Sequence, residues 1–250
     1  MSDNLQILAE LLPQLGQGIL VTLELTIAGA VLALIVAFTL GLGSRASTRW
    51  ARVPSRAVVE FFRGTSLVVQ IFWLYYVLPL PPFHVELDPL ACGIIALGLN
   101  YGAYASEVVR GSINSVPLGQ WEAATALDLS GMHRLRRVIL PQAWPLMMPM
   151  FTNLLIQLIK GSALAAYITL HDLNFFIGEL RKGTTETVFA YTVGLLLYFV
   201  FAYLVTLIMN AFEARAKNKV GQGPSLREIL RVAPVQTQAD VGSTPKAGTR

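Results

Sequence analysis

Long apolar runs constrain this chain more than any other feature. Five stretches, 16–43, 55–80, 89–109, 138–159 and 187–212, are mostly apolar over the roughly 20 residues that a helix needs to cross a bilayer. In hydrocarbon the backbone must satisfy its own hydrogen bonds, so such runs are expected to be helices. The expectation is an all-α, polytopic membrane helix bundle with about five transmembrane helices. Between the fourth and fifth runs, 161–186 is less regular. Its apolar part, 163–170, is too short to span and reads as a re-entrant segment or a short outer helix. Composition agrees: 54% of residues are hydrophobic and 14% charged, against about 25% charged in a soluble domain. That excludes disorder for most of the chain. Residues 1–10 carry Asp3 and Glu10 and no basic residue, which is unlike a cleavable signal. The single cysteine, Cys92, sits in an apolar run, so it reads as a small buried side chain, with no internal disulfide and no cysteine-based metal site.

The basic residues orient the spans. Arg45, Arg49, Arg52, Arg56 and Arg63 follow the first run, and Arg110, Arg134, Arg136 and Arg137 follow the third. Arg215, Lys217, Lys219, Arg227, Arg231, Lys246 and Arg250 follow the fifth. The other three of the 19 basic residues, Lys160, Arg181 and Lys182, fall on the opposite side. The positive-inside rule therefore places the N-terminus outside and the C-terminus in the cytoplasm. The net charge of +4 marks cytoplasmic loops in a lipid bilayer, and nucleic acid is not needed as a partner. Residues 1–15 are expected as an extracytoplasmic segment and 16–214 as the membrane domain. Residues 215–250 turn rich in Gly, Pro, Ser, Thr and Gln from 221 onward and are expected as a mostly disordered cytoplasmic tail, with a short helix near 226–231.

The cytoplasmic loop at 116–137 is the most informative stretch. Pro117 suits a helix start, 120–127 are mostly good helix formers, and Ser130 and Gly131 break the run before a second helix enters the membrane through Pro141. A short helix on this side can dock into a groove on a soluble partner, and a plain surface turn is the alternative. The residues EAATALDLSGMHRLRRVILP at 122–141 resemble the EAA signature of permease subunits of ATP-binding-cassette (ABC) importers. GILVTLELT at 18–26, EFFRGTSLVVQIFW at 60–73 and LNYGAYASEVVRGSINSVPLGQ at 99–120 resemble the polar amino-acid uptake branch of that family.

The resemblance implies a passive translocation subunit of the bacterial inner membrane, with Gly119, Glu122, Ala123, Ala124, Asp128 and Pro141 in the ATPase-coupling loop. It also implies an ATP-binding cassette ATPase subunit, a sister permease subunit as homo- or heterodimer, and an extracytoplasmic solute-binding protein as partners. No G-x-x-x-x-G-K-[ST] phosphate loop occurs, and no catalytic residue, metal site or cofactor is expected. Two positions depart from the family. Asp128 stands where glycine is usual, and Val138 where isoleucine is usual. A glycine there would permit a left-handed turn, which Asp tolerates better than most residues.

Polar groups in lipid mark packing faces or a pathway. Asn100, Tyr104 and Glu107 share one helical face of the third run, with Gly98, Gly102 and Ser106 forming a ridge of small residues on roughly the opposite face. Asn153, Gln157 and Lys160 repeat the polar spacing on the fourth run, with Ser162 just beyond. The two stripes read as a lined pathway. The alternatives are that the asparagines join helices, that Glu107 pairs with Arg110, and that Lys160 snorkels to the outer surface. Pro141, Pro145 and Pro149 stand one turn apart and suggest a bent helix beside a cavity.

Two other classes fit the sequence less well. His84, His133 and His171 lie in loops without metal-ligand spacing, against a membrane-embedded enzyme. No internal repeat or mid-span acid favours an ion-coupled secondary transporter. The resembling permeases commonly carry a polar or acidic residue where Gly161 stands here, which argues against a cationic cargo. The stretches 100–120 and 172–192 look closest to permeases for ectoine and hydroxyectoine, so an amino acid or an amino-acid-like zwitterion is the expected cargo.

Overall fold

The computed structural model describes residues 2–218. Among them the chain is a helix bundle without strands. Its long elements are α1 (Ser2–Gly43), α2 (Arg49–Gly64), α3 (Leu67–Phe72, continued as a π-helix at Trp73–Val77) and α4 (Pro89–Asn114). Two cytoplasmic-loop helices follow, α5 (Leu118–Ala126) and α6 (Gly131–Arg134). A π-turn at Leu135–Ile139 leads into α7 (Leu140–Ser162), which ends in a 3-10 turn at Ala163–Ile168. The outer helix α8 (Leu173–Thr184) and α9 (Thr187–Asn218) complete the chain.

Three described stretches are long and apolar enough to cross a membrane: Asn4–Gly43, Gly131–Ile168 and Thr187–Ala216. The expected second span is not one straight helix. Thr65 and Ser66 adopt extended backbone, so α2 and α3 meet at a 102° bend. Among the 26 residues of α4 are Asn100, Tyr104 and Glu107, which lower its apolarity, but about 39 Å of helix is ample to span. Residues 2–15 begin α1 itself, and α9 runs four residues past 214. The expected helix at 226–231 and the rest of the tail from 219 lie outside the described residues.

Small residues bring α1 and α4 together as their spacing predicts. A Cβ on Gly98 would lie 2.5 Å from Leu32, and one on Gly102 2.7 Å from Val36. A Cβ on Gly41 would meet the Ser106 carbonyl at 2.9 Å. Close backbone approach supplies the packing energy that apolar burial cannot supply between helices in lipid. Toward the cytoplasm Val109, Ile113, Ile139, Ala143 and Met147 form the core. Toward the outside Ile71, Cys92, Ala96 and Ile168 do, with Cys92 free and fully buried as expected. The helix α9 packs on α7 and α8 and leaves Leu195, Phe199 and Ile208 exposed toward lipid.

Candidate functional site

The cytoplasmic loop folds from its own residues upward. Pro117 occupies the N-cap position of α5 at φ −52° and ψ 139°, without a side-chain cap. Ala124 (2% exposed) and Val116 turn into the bundle, while Gly119, Glu122 and Ala123 face outward. At the far end Leu129 N donates to Ala124 O at 3.2 Å and Asp128 N to Thr125 O at 2.9 Å. These two bonds close a Schellman turn. The residue such a turn needs in the left-handed region is Asp128, at φ 54°. The turn thus survives at Asp128 itself, without moving to Gly131.

Trp121 ties this loop to the spans, and sequence reasoning missed it. The Arg45 guanidinium sits 5.4 Å from the Trp121 ring centroid and that of Arg134 sits 5.7 Å from it. Arg45, at the end of α1, also donates to Asn114 at the end of α4. Arg134 donates to Thr125, and Gln142 Nε2 at the start of α7 donates to Gln120 Oε1 at 3.0 Å. Pro141 stands in the first turn of α7 beside that bond. One aromatic ring therefore links α5 to the cytoplasmic end of α1 and to α6, and the Gln142–Gln120 bond links α5 to α7. An arginine fully 76 residues upstream leaves no local signal. Beside Trp121 a cleft of about 420 Å³ opens between Arg45, Asn114, Val116 and Leu118, and Leu118, Leu127 and Met132 are apolar and exposed.

The polar face of α4 meets the α2–α3 bend. Breaking the helix at Thr65 frees carbonyls. Asn100 Nδ2 donates to Phe62 O at 3.1 Å and to Gln70 Oε1 at 3.2 Å. Gln70 Nε2 donates to Phe62 O at 3.1 Å and to Thr65 Oγ1 at 2.7 Å. The Tyr104 hydroxyl donates to Arg63 O at 3.2 Å, with the Arg63 guanidinium over its ring. Asn100 is 5% exposed, so here it holds the bend. Glu107 pairs with Arg110 at 2.5 Å and stands in the field of Arg63 and Arg56, while Arg63 approaches Glu60 at 3.6 Å.

On α7, Asn153, Gln157 and Lys160 are all exposed along one face. The stripes of α4 and α7 thus differ in use: the first is mostly bonded to the bend, and the second is open. Ser162 corrects the sequence expectation. It is fully buried and donates back to Ile159 O at 2.8 Å, because the following 3-10 turn folds it inward, so it lines no open face. Tyr101, one residue from Asn100, was also missed. Its hydroxyl donates to Gln157 O at 2.8 Å.

The model of the family described as "Binding-protein-dependent transport system inner membrane component" matches residues 37–218. The chain is 41% identical over 204 residues to "Probable amino-acid ABC transporter permease protein y4tF" of Sinorhizobium fredii (strain NBRC 101917 / NGR234), covering 80% of this chain and 86% of that one. It is 36% identical to "L-cystine transport system permease protein TcyB" of Bacillus subtilis (strain 168), covering 84% and 89%. A solved structure, "Crystal structure of an amino acid ABC transporter with histidines", is similar at TM-score 0.76 and 27% identity, covering 83% of this chain and 96% of that one. These matches cover the bundle, the bend and the cytoplasmic loop together. The chain belongs to the family of inner membrane components of binding-protein-dependent transport systems, as the non-catalytic, multi-pass transmembrane subunit of an amino-acid ABC importer of the bacterial inner membrane.

Proposed function

We propose that this subunit forms the pathway together with a sister permease, identical or similar, and that an ATPase subunit seats on the loop at 116–137. An extracytoplasmic binding protein delivers the cargo. The observation that carries this reading is the outward face of α5. Glu122 and Ala123 are exposed there, flanked by apolar Leu118 and Leu127, on a helix pinned to two spans, α1 through Trp121 and α7 through Gln120. Gly119 has open space around it, which suits close approach of a partner. The permease domain is taken as 16–214, between an extracytoplasmic 1–15 and the cytoplasmic 215–250.

The cargo proposed is an amino acid or an amino-acid-like zwitterion, with ectoine or hydroxyectoine as the narrower reading of the sequence. Lys160 on the open face of α7 would receive a carboxylate, with Asn153 and Gln157 as neutral partners. Tyr104 and Glu107 lie on the bend side of the same route, and Asn100 supports it from behind. The test is uptake by proteoliposomes holding the complete importer, offered amino acids, ectoine and hydroxyectoine. ATP-dependent uptake that an Ala123→Trp substitution abolishes, with membrane insertion intact, is expected. Uptake driven by an ion gradient without the ATPase would overturn the reading.

A further inference from the structure

At the outer end of the bundle, α8 begins on a buried acid. Asp172 is fully buried. Its Oδ1 accepts from Phe175 N at 2.9 Å and so caps α8. Its Oδ2 is buried and has no hydrogen-bond partner. The Tyr198 hydroxyl on α9 is likewise buried and without a partner, and it lies close enough for the Asp172 charge to act on it. Two orphaned polar atoms within electrostatic reach of each other are unusual, since buried polar groups nearly always bond.

Among the described residues the surroundings offer no counter-charge. From α1, Thr22 Oγ1 accepts from Leu173 N at 3.1 Å, and Gly18 packs against Asp172 O. Glu10 and Glu24 on α1 are exposed, as are Tyr167 in the 3-10 turn and the neighbouring His171, whose ring rests 4.3 Å from that of Phe175. Glu179 pairs with Lys182 two turns along α8 at 2.7 Å, and Arg181 and Glu186 are exposed. Glu213 and Arg215 lie about 22 Å or more along α9 from Tyr198 at helical rise. Desolvation therefore dominates and pushes the Asp172 carboxyl up to about 7, opposed only by backbone hydrogen bonds. An apolar cleft of about 140 Å³ between Ile19, Thr22, Leu173, Leu197 and Phe201 leaves α9 room to shift.

We propose that Asp172 and Tyr198 form a proton-binding site at the outer end of the bundle. With the proton bound, the two side chains stay unbonded as seen here. On release of the proton to water on the outer side, the Tyr198 hydroxyl donates to Oδ2 and draws α9 onto the start of α8. The hydroxyl is a buried donor without a partner, and bonds to an ionised acceptor are the stronger kind. The device is independent of which cargo the importer carries.

The sign follows from linkage. A raised carboxyl keeps its proton in the folded chain while the unfolded chain has released it, so folding stability falls as pH rises from about 4 to about 7 and then levels. The experiment uses the assembled importer in lipid nanodiscs. The protonated-carboxyl infrared band is titrated in the wild type, Asp172→Asn and Tyr198→Phe, with thermal midpoints recorded alongside. Asparagine keeps the cap, so α8 is retained. The expected result is a band that titrates near pH 7, is missing in Asp172→Asn, and moves up by about one pH unit in Tyr198→Phe, a tenfold change in proton affinity. The wild-type thermal midpoint should fall relative to Asp172→Asn between about pH 5 and 7. A wild-type titration identical to that of Asp172→Asn overturns the site. A Tyr198→Phe midpoint equal to the wild type overturns the role given to Tyr198.

Discussion

The Tyr101 hydroxyl occupies the space that a side chain on Gly161 would need: a Cβ there would lie 2.6 Å from it. The same hydroxyl donates to Gln157 O, so Tyr101 closes the outer end of α7 onto α4. This gives a packing reason for glycine at 161. Gly161→Ala should destabilise by about 1–3 kcal/mol through overpacking, and Tyr101→Phe by about 0.5–1.5 kcal/mol through the lost bond. Because the phenylalanine removes the clashing oxygen, the double variant should cost less than the sum. Thermal unfolding of the four proteins in a double-mutant cycle checks this, and strict additivity would contradict it.

Asn100 joins α4 to the bend, and its loss should be felt in stability before affinity. Asn100→Leu leaves Phe62 O with only the Gln70 donor and strands Gln70 Oε1. A cost of about 1–3 kcal/mol is expected for the stranded polar group, with little change in apparent affinity for cargo in variants that still assemble. Unfolding and uptake kinetics on one preparation separate the two effects.

Lys160 is open on α7, and the expectation is the reverse. Lys160→Met should assemble with wild-type stability and weaken apparent cargo affinity. The loss of a charged partner's hydrogen bond is worth about 1.5–3 kcal/mol, at least tenfold. Unchanged affinity in concentration-dependent uptake would leave Lys160 as a surface anchor.

Asp128 carries the left-handed residue of the coupling turn at φ 54°. Asp128→Gly should be tolerated, since glycine adopts this conformation freely. Asp128→Val should lose about 1–2 kcal/mol of local stability from a left-handed, β-branched residue. Hydrogen exchange of 118–129 and co-purification of the ATPase subunit measure the two consequences.

Trp121 should transmit motion. Trp121→Ala removes the ring between Arg45 and Arg134, two cation–π contacts at about 0.5–1 kcal/mol each at exposed sites. The complex should form, yet cargo-stimulated ATP hydrolysis should fall while basal hydrolysis persists. Equal loss of both activities would point to failed assembly instead.

Much of this was written in local periodicity. Apolar length forces helices in lipid, and the spacing of Gly98, Gly102 and Ser106 marked a face of α4 for close packing on a neighbouring helix, because small residues one turn apart permit close backbone approach; the structure shows that the neighbour is α1. Position six after Glu122 needed a residue able to turn left-handed, and Asp128 does. The 102° bend at Thr65 was not legible, since the apolar run continues through it and composition does not change where a helix breaks. Only the tertiary structure shows why it holds: carboxamides 30 to 38 residues apart meet carbonyls freed by the break. Periodicity put Asn100 and Asn153 in equivalent stripes, but it fixes a face and not what that face meets. Contact with a second helix buried one and left the other open. Trp121 with Arg45 and Tyr101 with Gly161 are likewise pairings across sequence distance, decided by which helices pack together.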